Sequence, residues 1–86
     1  MYKIKLTKDA EKYYKRSDVS TKKHLNQCFE VLKNTPYHNS SIKRLQGELS
    51  GLYRYRVGSI RVIYKVEETE VTVFVVTIGN RGDIYK

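Results

Sequence analysis

Cysteine occurs once, at Cys28, proline once, at Pro36, and tryptophan not at all. A lone cysteine excludes an intramolecular disulfide and any cysteine-rich metal site, and it fits a reducing compartment. Long apolar runs are missing as well. No stretch approaches the roughly 18 apolar residues of a membrane span, and the opening Met1-Tyr2-Lys3-Ile4-Lys5 lacks the apolar segment of a secretory signal. The expectation is a cytoplasmic protein with no membrane partner. There is no repeat, low-complexity tract or linker, and 86 residues make one domain, 1–86, too small for a two-domain enzyme with a deep cofactor pocket.

Acidic residues are also scarce. Nine Asp and Glu face 17 Lys and Arg, for a net charge of +8. The excess lies in residues 1–66, with 15 basic and 5 acidic side chains; residues 67–86 hold 2 basic and 4 acidic. So large a charge on so small a domain favours encounter with a polyanion, although a merely soluble basic protein has the same composition. Eight Tyr, two Phe and a hydrophobic fraction of 40% suffice for a compact core.

Tyr2, Ile4 and Leu6 alternate with Lys3 and Lys5, the period of a strand with one buried face. Thr7 is placed to cap a short helix carrying Ala10, Tyr13 and Tyr14 on one side. A second helix is expected from a cap at Ser20 to about Asn34, with Leu25, Cys28, Phe29 and Leu32 as its apolar stripe and Thr35-Pro36 as its stop. Residues 35–51 read as an extended polar connection that carries Lys43 and Arg44, anchored by Ile42 and Leu45. Strands follow at about 52–57, 60–66 and 71–78, separated by Gly58-Ser59 and by Glu67-Glu68-Thr69-Glu70. The pattern predicts an α+β fold: an N-terminal strand and two helices packed on one face of a mainly antiparallel four-stranded sheet.

A two-residue turn at Gly58-Ser59 sets Arg56 against Arg61 and Arg54 against Ile63. One face then collects Tyr53, Tyr55, Val57, Ile60, Val62, Tyr64 and Val66 as core. The other collects Arg54, Arg56 and Arg61 with no acid among them. Pairing Val66 with Val71 across the next turn brings Phe74 and Val76 beside Ile63 and Arg61. Like charges opposed across strands are destabilising, so the cluster either serves an anion or simply solvates the outer face. Arginine suits bidentate contact with phosphate. Gly79 and Gly82 permit a reversal that carries Arg81 toward the same end of the sheet, with Tyr85 following as a docking anchor, a frayed end or a site residue. His24 and His38 lack ligand spacing, so neither a metal nor a cofactor is expected, and Asp9, Glu11 and Glu30 read as helix-surface charges.

Leu45-Gln46-Gly47, the run from Leu52 to Tyr64, then Val73 to Gly79, Arg81 and Tyr85, together resemble the RelE/ParE superfamily of toxin-antitoxin toxins over nearly the whole chain. The resemblance implies a small RelE-like fold and one of two activities. RelE-like members are ribosome-dependent mRNA endonucleases; ParE-like members are gyrase inhibitors without nuclease activity. Two basic residues before the Gly turn, an Arg after it, an Arg after the last strand and a Tyr near the C-terminus mark the nuclease, and Arg54, Arg56, Arg61, Arg81 and Tyr85 match in that order. Both strand positions, often Lys in this family, are Arg here and keep their protons. Tyr85 is therefore the candidate base, with the arginines holding the phosphate and Arg81 serving the leaving oxygen. Lys12, Lys15, Arg16, Lys22, Lys23, Lys43 and Arg44 are candidate contacts to ribosomal RNA, the helix lysines reading equally as a solvated face. The implied partners are the ribosome with its mRNA and a cognate acidic antitoxin with an amphipathic helix, in a toxin-antitoxin hetero-oligomer. Phe74 is a candidate antitoxin contact or packs under the 35–51 connection.

Overall fold

The computed structural model describes residues 1–80. The chain runs β1 (Lys3–Leu6), α1 (Lys8–Arg16), α2 (Val19–Asn34), β2 (Ile42–Arg44), a 3-10 turn (Gly47–Leu49), β3 (Tyr53–Val57), β4 (Ile60–Glu67) and β5 (Thr72–Asn80). The strands form one sheet in the order β1-β5-β4-β3-β2, with β1 parallel to β5 and the other pairs antiparallel. The α+β class and the two helices on one sheet face agree with the expectation. The strand count does not: residues 42–44, read as part of a connection, are a fifth strand on the outer edge of β3. The Arg56 amide donates to the Ser41 carbonyl (3.0 Å) and the Leu45 amide to the Leu52 carbonyl (3.0 Å), fixing that edge at both ends.

Both helices begin where side-chain chemistry allows. The Thr7 hydroxyl accepts from the Ala10 amide (3.2 Å) and caps α1. α2 starts two residues before the expected Ser20, because the Asp18 carboxylate accepts from the Thr21 amide (2.7 Å) and suits the positive end of the helix. That bond holds the Asp18 pKa below the usual carboxylate value. Ala10, Leu25, Cys28 and Leu32 from the helices pack on Val62, Tyr64, Val73, Val75 and Ile78 of the sheet, and all nine are buried. Burial pushes the Cys28 thiol up to about 12, so it behaves as a small apolar core residue.

The Gly58-Ser59 turn gives the expected register on β3 and β4: Val57 faces Ile60, Arg56 faces Arg61 and Arg54 faces Ile63. The next hairpin departs. Val66 faces Val73, not Val71, and Lys65 faces Phe74. A bulge after Ile63 then shifts the pairing, so that Ile63 faces Thr77, Val62 faces Ile78 and Arg61 faces Gly79. Phe74 is therefore not beside Ile63, and Val76 falls at the irregularity without a partner in the ladder.

Candidate functional site

The sheet has two faces of opposite character. Tyr53, Tyr55 and Tyr64 lie on the face under the helices. There Tyr53 stacks on Tyr64 (centroids 5.6 Å apart), and the Tyr64 hydroxyl donates to the Pro36 carbonyl (2.7 Å). Burial pushes the pKa values of Tyr55 and Tyr64 upward. None of these three hydroxyls is available on the other side.

On that outer face the register places Lys43 against Arg54, and Arg56 against Arg61. Directly opposed residues sit roughly 4.5–5.5 Å apart at Cα, so four cations from three strands converge. Arg61 is only 7% exposed and is flanked by Arg56 on one side and by Gly79, without a side chain, on the other. Its Nε has no hydrogen-bond partner among the described residues. The ion pairs among those residues are Lys15–Glu11, Lys33–Glu30 and Lys65–Glu67, and none reaches Arg56 or Arg61. A buried guanidinium with no carboxylate against it among the described residues is costly. Arg54 makes a long contact from Nη2 to the Ser41 carbonyl (3.5 Å).

Two shallow depressions adjoin along Lys43 and Arg54. One, of about 470 Å³, is lined by Lys43, Arg44, Leu45, Gln46, Arg54 and Arg61. The other, of about 410 Å³, is lined by Ser40, Ser41, Ile42, Lys43, Arg54 and Arg56. The edge strand borders both, and it brings Lys43 into the arginine cluster, while Arg44, opposite Tyr53 in the ladder, borders the first depression only. Gln46 and Ser41 join them; only recognition of β2 as a strand would have pointed to either. Lys12, Lys15, Arg16, Lys22 and Lys23 lie on α1 and α2, in the other layer, and are not gathered with the arginines. Lys12 and Arg16 line a separate hollow with Asp9, Tyr13, Ser17, Thr21 and Ile78. Asp9 is exposed, as expected of a helix-surface charge, and its Oδ2 accepts from Thr77 Oγ1 (2.8 Å). Arg81 and Tyr85 lie outside the described residues. Among the described residues, no three His, Cys, Asp or Glu side chains gather as metal ligands would, and no helix is long and apolar enough to cross a membrane.

Chemically, this arrangement grips an anion and stabilises added negative charge, but arginine keeps its proton and cannot act as a base.

Helix layer, five-stranded sheet and cationic outer face define a class of small α+β domains. Residues 4–85 match the model of the ParE toxins of type II toxin-antitoxin systems (parDE), and the chain belongs to this family, within the RelE/ParE superfamily. Toxin RelG of Mycobacterium tuberculosis is 34% identical over 44 residues, 51% of each protein, so the chain spans about half the length of that curated relative. Among solved structures, the RelE–RelB complex of Pyrococcus horikoshii OT3 superposes with a TM-score of 0.81 at 24% identity, covering 95% of this chain and 97% of that one. The intact E. coli RelBE complex gives 0.80 at 21% (93% and 96%), and a YoeB/ParE toxin from Agrobacterium tumefaciens 0.82 at 20% (92% and 98%). These likenesses establish the shared fold.

Proposed function

We propose that this toxin-family chain is a metal-independent endoribonuclease that cleaves mRNA in the ribosomal A site, in the cytoplasm, and is held inactive by an acidic antitoxin in a hetero-oligomer. The observation that carries this reading is Arg61, buried beside Arg56 with no carboxylate against it among the described residues. The scissile phosphate supplies the missing charge.

In the reaction, the RNA 2′-hydroxyl loses its proton and attacks the neighbouring phosphorus. A new O2′–P bond forms, the P–O5′ bond breaks, and the products are a cyclic phosphate and a 5′-hydroxyl. Arg54, Arg56 and Arg61 hold the phosphate and stabilise its extra charge. Tyr85 is the proposed base, taking the 2′ proton as its phenolate, and Arg81 stabilises the departing O5′, which takes its proton from water. One preorganised donor contributes about 3 kcal/mol, so three bring roughly 10, the low end of enzymatic acceleration. Orientation of the 2′-hydroxyl falls to the ribosome, and free RNA is cut poorly. Lys43 and Arg44 contact RNA beside the cluster, and Lys12, Lys15, Arg16, Lys22 and Lys23 contact ribosomal RNA from the helix layer.

The match to ParE toxins favours a second reading, inhibition of DNA gyrase without RNA cleavage. Controlled expression separates the two. Rapid arrest of translation with mRNA cut inside codons supports the nuclease; induction of the DNA-damage response with intact mRNA overturns it in favour of the gyrase inhibitor. Under the nuclease reading, Arg81→Ala abolishes toxicity and Tyr85→Phe slows cleavage more than binding.

A further inference from the structure

The outer sheet face continues past the arginines. Its strand residues are Lys3 and Lys5 on β1; Thr72, Phe74 and Gly79 on β5; Arg61, Ile63, Lys65 and Glu67 on β4; Arg54 and Arg56 on β3; and Lys43 on β2. Glu67 is the one acid among them, and it is paired with Lys65 at 3.3 Å. Phe74 is the one aromatic. It is half-buried, and its row across the sheet reads Lys65, Phe74, Lys5, with the lysine Nζ atoms 5.4 and 5.9 Å from the ring centroid. No apolar side chain shares that row.

We propose that Lys5, Phe74 and Lys65 form a second contact site for single-stranded RNA, on which a nucleobase flanking the arginine-bound phosphate stacks while the two ammoniums take neighbouring phosphates. The inference rests on the RNA reading of the arginine cluster and extends it. An aromatic ring set among cations on a sheet face is the combination that holds single strands without reading their sequence. The lysines now over the ring do not block it, because an exposed cation–π contact is weaker than a base–aromatic stack and the flexible stems swing toward phosphate. Arg61 and Lys65 are four residues apart on β4, about 13 Å, so one RNA strand lies over both sites.

The test is fluorescence anisotropy of a labelled single-stranded RNA of about ten nucleotides against the full chain, over a range of salt. Phe74→Leu should weaken binding about five- to tenfold, and Phe74→Tyr, which keeps the ring, should bind as the parent does. Lys5→Gln and Lys65→Gln should each lower the salt slope by about 0.7. If the Phe74 and lysine variants bind as the parent does while Arg61→Ala loses affinity, this site is wrong and the arginine reading stands. If Arg61→Ala also binds normally, the arginine reading falls with it. If Phe74→Leu spares RNA but weakens an acidic protein partner, the face belongs to that partner and the inference is overturned.

Discussion

Arginine holds its proton at any pH a cell reaches, so Arg61 carries a full charge into a position where water scarcely enters. Its like-charged neighbour Arg56 raises the cost further. Removing the charge should therefore separate function from stability. Arg61→Ala is expected to lower mRNA cleavage by about 100- to 1000-fold while leaving the melting temperature unchanged or higher. Growth assays after induction and thermal melts of the purified variant check both halves. Undiminished toxicity would remove Arg61 from the site. Val71 makes a different prediction. It is exposed, β-branched, and held at φ 48°, a region that such side chains avoid. The turn keeps it there because its amide donates to the Glu68 carbonyl (3.1 Å) and its carbonyl accepts from the Lys3 amide (2.9 Å). Val71→Gly relieves that strain without losing buried contact. The variant should be more stable by about 0.5–1 kcal/mol after the entropy of glycine is set against the gain, as a shift in denaturant midpoint would show.

At the scale of elements, the two hairpins show how far a sequence can be read. Gly58-Ser59 admits one tight turn, and from it the whole β3–β4 register follows, including the Arg56–Arg61 pair. Nothing comparable marks the β4–β5 connection, where a valine takes the left-handed position and a bulge after Ile63 moves Phe74 and Val76 from their expected neighbours. β2 is three residues long with one apolar side chain facing the core, too short for any periodicity, yet it supplies a third of the lining of each depression. Besides the backbone bond from Lys3 to Val71, one carboxylate ties the β4–β5 turn to the rest of the molecule. Tyr2 donates to Glu68 Oε1 and Oε2 (3.0 and 2.7 Å), and the Tyr37 hydroxyl also donates to Oε2. These bonds lower the Glu68 pKa. Burial, followed by the hydrogen bond to Glu68, raises that of Tyr37, and the hydrogen bond to Glu68, followed by burial, raises that of Tyr2. A carboxylate with a lowered folded pKa leaves the folded chain with fewer bound protons than the unfolded one, so stability rises with pH. The contribution is complete above about pH 4.5 and fades as pH falls through the folded value. For the tyrosines the sign reverses, and stability fades as pH rises above about 10. Glu68→Gln should flatten the acid limb of a melting temperature profile; an unchanged limb would show that the latch does not matter.

Over the whole molecule, charge and shape act against each other. A net charge of +8 is carried by a body with a radius of gyration of 11.9 Å, and cations occupy both the helix layer and the outer sheet face. The ion pairs among the described residues join close neighbours in the chain at partly exposed positions, where each contributes little. Among the described residues the folded state is thus self-repelling, most of all where Arg56 faces Arg61. Salt should then act with opposite signs on two observables. Raising sodium chloride from about 20 to 300 mM screens the repulsion and should raise the melting temperature, and the same increase should weaken RNA or ribosome binding steeply. A short RNA added at low salt should raise the melting temperature by neutralising the same charges, and that shift should shrink as salt is added. Differential scanning fluorimetry across a grid of salt and RNA concentrations reads all three effects in one experiment. A melting temperature that falls with salt would mean that the surface cations are matched in the folded state after all, and the anion-binding reading of the sheet would lose its physical basis.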